Sequence, residues 1–147
     1  MKLDKDCIRD IMLCIEKLEE FVDVSHTQKE KALRTISLDT LCKDEYLSEK
    51  YSPEKISYHY LQAKDYHFID FKESEERVLN SVIYRGLKNF HVKNITPIGH
   101  EFLDCARNDE IWNDIKNDIE KARLIDCSLN VLLDVLRNKT FNKIAQQ

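Results

Sequence analysis

The stretch Ile56–Phe71, ISYHYLQAKDYHFIDF, joins a helical pattern to a strand pattern and decides how this part of the chain folds. Residues 52–55, SPEK, come directly before it. They supply a serine N-cap, a proline suited to the first helical turn and an acid beside it. This start predicts a helix from Pro53 to about Asp65. The aromatic alternation of Phe68–Phe71 then predicts a strand.

Further elements flank this helix and strand. Apolar residues at helical spacing predict a first helix over 4–22, which Asp4 or Asp6 can cap. The patterns that follow predict a loop over 23–34, a strand around 34–38 and a short helix, capped by Ser37 or Asp39, that runs through Leu41 and Leu47. After the 68–71 strand, they predict strands over 77–84 and 90–95. The last predicted elements are a helix opened by Thr96-Pro97, a helix over 110–124 and a helix capped by Ser128.

The order of helices, strands and further helices is that of a winged helix-turn-helix. The predicted fold class is therefore mainly α (α+β): a winged helix-turn-helix with a small antiparallel β wing and a C-terminal helical extension. We assign residues 1–108 to the winged helix-turn-helix domain and 109–147 to the extension, within one compact unit. The low counts of glycine and proline, 2 of each, favour long helices over an all-β fold.

Composition narrows the class of protein. The net charge of −4 removes the simplest argument for DNA binding, since proteins that rely on phosphate attraction are usually basic. No apolar run approaches the roughly 18 residues that cross a bilayer, and acids precede the first apolar residues, unlike a signal peptide. The 5 cysteines lack paired spacing and indicate reduced thiols. We expect a cytoplasmic protein without membrane contact.

Several runs resemble winged-helix proteins. Ile56–His59, followed by Phe68-Ile69, resembles a recognition helix and the strand after it. The run ITPIGHEFLD, Ile95–Asp104, resembles the strand-to-helix junction that follows the wing. With RNDEIW at Arg107–Trp112, the chain resembles one bacterial and prophage family of winged-helix proteins, known as domain of unknown function number twenty-five thirteen. This resemblance implies the fold and implies no activity.

One position departs from that family. Many relatives have Ala-Gly just before the wing strand, where glycine takes the left-handed turn that closes the helix. This chain has Tyr66-His67 there. If the geometry is kept, His67 must be left-handed, which costs roughly 1 kcal/mol. Alternatively, the helix ends differently.

The 53–65 helix carries the candidate binding residues. Ile56, Tyr60 and Ala63 share one face and should point to the core. The residues predicted to contact DNA or a protein partner are Lys55, Ser57, Tyr58, His59 and Gln62 on the helix, with Arg77 and Lys93 near phosphates. The alternative is that this helix presents an exposed polar face that binds no ligand. The wing turn is acidic, whereas phosphate contact favours Lys or Arg.

The leading hypothesis is a bacterial or prophage-borne winged-helix protein that binds double-stranded DNA as a homodimer and regulates transcription. The alternative is a phage-encoded protein-interaction module that binds and inhibits or redirects a host protein, for example a component of a defence system. Acidic charge and the tyrosines of the 53–65 helix favour this alternative. A continuous positive band across that helix would indicate DNA, whereas a mixed or negative surface would indicate a protein partner.

The last apolar stripe is a candidate dimer interface formed by Leu129, Leu132, Leu133 and Leu136. It can instead cover the core of its own chain. No metal-ligand spacing, glycine-rich phosphate loop or nucleophile motif occurs, so we predict no enzyme activity, no catalytic residue, no metal and no cofactor. The cysteines are expected to be small buried thiols.

Overall fold

The computed structural model describes residues 1–22, 36–73, 90–121 and 131–138. The elements in chain order are α1 Lys5–Val22, α2 Leu38–Lys43, α3 Glu45–Lys50, α4 Pro53–Asp65, β1 Ile69–Glu73, β2 Phe90–Ile95, α5 Pro97–Ala106, α6 Asp109–Lys121 and α7 over residues 131–138. The described chain is mostly helical with a small antiparallel sheet, which confirms the predicted α+β class. None of its described helices has the length and apolar character needed to cross a membrane.

Helix α1 begins at the predicted cap. The backbone N–H of Cys7 donates to Asp4 Oδ1 at 3.2 Å, which satisfies one of the free amides at the helix start. The fully buried face of α1 consists of Cys7, Ile8, Ile11, Met12 and Ile15. Through this face α1 packs against α4 and α5, so it forms the centre of the core.

Two short helices replace the single one that was predicted after Ser37. Ser37 and Thr40 form a capping box at the start of α2, which confirms Ser37 as the cap. Asp44 then adopts an extended backbone, with φ −61° and ψ 131°, and ends α2. Its carboxylate accepts the N–H of Leu47 at 3.0 Å, so the same residue caps α3. The spacing of apolar residues in the sequence did not separate α2 from α3, because both helices bury leucine side chains at helical spacing.

Strands β1 and β2 pair antiparallel, with Ile69 opposite Ile95 and a register shift between Asp70 and Phe71. On the other edge of β2, Val92 N–H donates to the carbonyl of Ile36 at 2.8 Å. A single bridge joins Ser37 to His91. The strand predicted around 34–38 is therefore reduced, in the described residues, to this short contact. The predicted strand over 77–84 lies outside the described residues.

The corner between α4 and β1 follows the first of the two alternatives for His67, the left-handed residue. His67 has φ 60°. Its N–H donates to the carbonyl of Lys64 at 2.9 Å, and Phe68 N–H donates to the carbonyl of Ala63 at 2.9 Å. These two bonds form a Schellman motif, in which glycine usually occupies the left-handed position. The prediction for His67 is confirmed.

Helix α5 is joined to this corner by backbone contacts. Thr96 donates its N–H to the carbonyl of Phe68 at 3.0 Å and its hydroxyl to the carbonyl of His67. The same hydroxyl accepts the N–H of Gly99 at 3.0 Å, which caps α5. A Cβ at Gly99 would lie 2.1 Å from the Phe68 carbonyl oxygen, so only glycine fits there. The ITPIGH run therefore has a structural role at this junction.

The C-terminal elements complete the same core. Phe102 stacks on Phe68 with ring centroids 4.8 Å apart, and its edge-to-face partner is Trp112 at 6.0 Å. Trp112 donates Nε1–H to Asp6 at 2.7 Å. Three of the dimer candidates are buried within their own chain, namely Leu132, Leu133 and Leu136, with exposed fractions of 0%, 5% and 0%. The dimer prediction is corrected for these three, because they contact the core and offer no exposed stripe. Leu129 and Ser128 lie outside the described residues.

Candidate interaction surface on helix α4

The inner face of α4 is more extensive than predicted. Ile56, Tyr60 and Ala63 are fully buried, as expected. His59 is also fully buried, so its predicted role as an exposed binding residue is wrong. Its Nε2 accepts the backbone N–H of Asp4 at 2.7 Å, and its Nδ1–H donates to the carbonyl of Lys55 at 2.8 Å. Because both ring nitrogens have backbone partners, the imidazole is accommodated in the core.

Burial lowers the pKa of His59 below its usual value. The neutral ring with its proton on Nδ1 is the form that satisfies both hydrogen bonds. His59 therefore connects the start of α1 to α4 and does not reach a ligand. Its partner Asp4 is 55 positions away in sequence, so local periodicity carried no signal for this contact.

Lys55 is engaged within the chain. Its Nζ lies 2.5 Å from Asp4 Oδ2 and 5.2 Å from the centre of the Tyr51 ring. The hydrogen bond to Asp4 raises the pKa of Lys55. Only 34% of the lysine side chain is exposed. A phosphate would have to compete with Asp4 for this cation.

The remaining surface of the helix forms a single band, which we name the α4 outer face. It consists of Glu54, Ser57, Tyr58, Leu61, Gln62, Lys64 and Asp65, all exposed or half-buried. Successive residues of a helix are rotated by about 100°, so Glu54, Tyr58, Leu61 and Asp65 follow the centre line of this band. Lys64 lies at its margin, with Nζ 3.9 Å from an Asp65 carboxylate oxygen.

Two predicted contact residues on the α4 outer face also have local partners. Ser57 donates its hydroxyl to the carbonyl of Pro53 at 2.6 Å. Tyr58 packs its ring edge-to-face with His59, with centroids 5.0 Å apart. Gln62 is half-buried on the same outer face. Ser57, Tyr58 and Gln62 thus lie on the outer face of α4, whereas His59 lies on its inner face.

The described structure does not place the two residues that were predicted near phosphates beside Ser57, Tyr58 and Gln62. Lys93 is exposed on β2. Arg77 lies outside the described residues.

Within the described ranges, no three His, Cys, Asp or Glu side chains are grouped as metal ligands. Burial raises the pKa of the Cys7 and Cys14 thiols to about 12, so both stay protonated.

A charged cluster on α1 and α3 was missed in the sequence. Asp10 is 6% exposed, and its Oδ2 accepts hydrogen bonds from Tyr51 Oη and from Lys50 Nζ, each at 2.7 Å. Lys50 also donates to the hydroxyl of Tyr46 at 3.1 Å. The hydrogen bond to Asp10 raises the pKa of Lys50. No spacing rule joins Asp10 to residues 40 and 41 positions later, so the sequence contained no usable signal.

One protein family matches most of the chain. The family described as hypothetical protein (DUF2513) matches residues 2–125, a range that includes every element from α1 to α6. No curated protein and no solved structure is significantly similar to the chain. The match confirms the family that the ITPIGHEFLD and RNDEIW runs indicated. The chain therefore belongs to the DUF2513 family, a domain of unknown function.

Proposed function

We propose that this protein is a winged-helix-type interaction module that binds a partner protein through the α4 outer face. The observation that carries this proposal is the centre line of that face. Glu54 and Asp65 place carboxylates at its two ends, and Tyr58 and Leu61 lie between them. This surface is mixed in charge, without a continuous positive band.

The winged-helix part of the proposal is supported by strand order. Strand β2 has β1 on one edge and Ile36-Ser37 on the other. Helix α4 leads directly into β1 through the His67 corner. A two-stranded antiparallel sheet with a recognition-type helix directly before its first strand, and a short extra contact on the far edge of its second strand, supports a winged-helix arrangement.

Charge favours a protein over DNA as the ligand of α4. Duplex DNA carries one negative charge per roughly 1.7 Å of its axis, so a helix in its groove meets phosphates on both sides. A carboxylate about 4 Å from a phosphate is repelled by roughly 1 kcal/mol even in water. Glu54 and Asp65 would both meet this repulsion, and Lys55 would have to leave Asp4. Tyrosine, in contrast, is enriched at the centres of protein interfaces.

Site-specific photo-crosslinking in cells tests this proposal. A photo-reactive amino acid replaces Tyr58, and the control position is Asn113, which is exposed on α6. We expect a discrete protein adduct from position 58 and none from position 113. Leu61→Asp should abolish the adduct, whereas the matched charge change Asn117→Asp on α6 should leave it. Adducts of equal yield at both positions, or none at position 58, would contradict the proposal.

A second candidate function is binding of double-stranded DNA for transcription regulation. It is favoured by a surface at the start of α1 where Lys2, Lys5, Lys55 and Lys116 come together beside Asp4, Asp6 and Glu120. The start of α4 lies at this surface, and recognition helices present their N-terminal residues to DNA. A mobility shift with genomic fragments at low salt separates the candidates. Binding at micromolar protein that weakens steeply with salt would favour DNA.

A further inference from the structure

A groove separates α1 from α3, and we name it the α1–α3 groove. It has a volume of about 650 Å³. Leu13 and Cys14 of α1 contribute its apolar surface. Its charged and aromatic lining is formed by Arg9, Asp10, Lys17, Asp44, Glu45, Tyr46, Glu49, Arg107 and Asp109. None of these residues belongs to the α4 outer face.

The two arginines of the groove are already neutralised. Arg9 Nη2 lies 2.5 Å from Asp109 Oδ1, and its Nε–H donates to the carbonyl of Ala106 at 2.7 Å. Arg107 pairs with Asp104 at 2.5 Å and with both carboxylate oxygens of Glu16. These guanidinium groups therefore have little capacity left for an incoming anion.

The groove also holds carboxylates that are not neutralised. Glu45 and Glu49 are exposed and form no ion pair with any residue in the described part of the chain. They lie one turn apart on α3, where like charges repel each other. A cation placed between them would relieve this repulsion. Lys17 is the one cation of this lining that forms no ion pair with a described residue, and the unpaired carboxylates outnumber it, so the available charge of the groove is negative.

The wall of the groove already binds one ammonium group. Lys50 Nζ lies 2.7 Å from Asp10 Oδ2, 5.3 Å from the centre of the Tyr46 ring and 5.4 Å from that of Tyr51. Carboxylates combined with aromatic faces are the chemistry that recognises alkylammonium and guanidinium groups. Tyr46 keeps 57% of its surface exposed despite this contact, so its ring remains accessible to a second cation.

We propose that the α1–α3 groove is a docking site for a basic segment of a partner protein. An arginine or lysine of that segment contacts Glu45 and Glu49 and lies against Tyr46, and a neighbouring apolar side chain packs on Leu13. Charge complementarity identifies the occupant, because the unpaired carboxylates of the groove outnumber its one unpaired cation, Lys17, and both guanidinium groups are already engaged. The proposal does not depend on the ligand of α4, since the two surfaces share no residue.

Fluorescence anisotropy with the purified full chain tests this docking site. The probes are a short labelled peptide in which arginine and leucine alternate and a matched peptide with glutamate in place of arginine. We expect saturable binding of the arginine peptide only, weakened about five-fold in the double variant Glu45→Gln/Glu49→Gln, since two exposed charge contacts together correspond to a factor of this size. The matched control Asp70→Asn/Asp114→Asn makes the same charge change at two exposed positions outside both surfaces and should keep the wild-type affinity.

Substitutions of Tyr46 test the aromatic contact separately. Tyr46→Ala should weaken the arginine peptide about three-fold, whereas Tyr46→Phe, which keeps the ring, should bind like the wild type. All these positions are exposed, and thermal unfolding confirms that each variant is folded. Equal loss in both double variants would indicate diffuse attraction to an acidic protein and overturn the proposal. Absence of saturable binding, or binding that is indifferent to Glu45 and Glu49, would overturn it as well.

Discussion

Replacing His67 by glycine should stabilise the protein. His67 has φ 60° at the left-handed position of the Schellman motif, where a Cβ is in steric conflict with the backbone. Its side chain is exposed, so the replacement removes no core contact, and the bonds of the corner use only backbone atoms. Histidine tolerates this region better than most residues, which places the gain at the low end, about 1 kcal/mol.

Urea denaturation followed by circular dichroism measures this gain. An increase of about 1 kcal/mol in the free energy of unfolding corresponds to a rise of roughly 2–4 °C in Tm for a chain of this size. His67→Ala keeps the Cβ and should be close to the wild type. Tyr66→Gly is the matched control, since Tyr66 has φ −81°, and glycine there should destabilise the protein. If His67→Gly lowered the free energy of unfolding, the left-handed corner would be refuted.

Three further perturbations test the core. Gly99→Ala places a Cβ 2.1 Å from the Phe68 carbonyl oxygen and should cost about 3 kcal/mol in a urea titration; a cost near zero would contradict the close packing at this corner. His59 binds its proton less readily in the folded than in the unfolded protein, so its contribution to stability is complete above pH 6.5 and is lost as the pH falls below that value. Between pH 7.5 and 5.5, the free energy of unfolding should therefore decrease in the wild type and decrease less in His59→Gln. Equal slopes for the two proteins would contradict the buried neutral ring. Tyr51→Phe removes a donor from the buried carboxylate of Asp10 and should cost about 2 kcal/mol by the same titration, whereas an unchanged midpoint would show that this bond is not formed.

Local signals in the sequence were sufficient for the helices that carry their own caps. Ser52-Pro53 gave α4 its start and Thr96-Pro97 gave α5 its start, because both pairs act within one turn of the helix. The left-handed His67 was one of two alternatives, and it came from the resemblance to relatives that have glycine at this position. Local signals did not resolve α2 from α3, since the division depends on the backbone angles of a single residue, Asp44.

The composition of the α4 outer face was less predictable. Position 59 lies three residues after Ile56, so helical spacing alone places it beside the inner face of α4. Its polar side chain was expected to be exposed because the sequence does not show that the N–H of Asp4, 55 positions earlier, supplies a partner. Lys55 would likewise be expected to be a free cation, because the sequence does not show that Asp4 lies beside it. The α1–α3 groove was not predictable for the same reason. It depends on which helices become neighbours, and this is decided by the core rather than by any short motif.

The junction of His67, Phe68, Thr96 and Gly99 has a consequence for how this protein can vary. The bonds that hold α4, β1 and α5 together there end on main-chain carbonyls, and the side chains that they use belong to α5. None of them uses a side chain of the α4 outer face, since Lys64 contributes only its main-chain carbonyl. Substitutions of the side chains on that face therefore leave these hydrogen bonds in place, so the surface of α4 and its attachment to the core can change independently of each other.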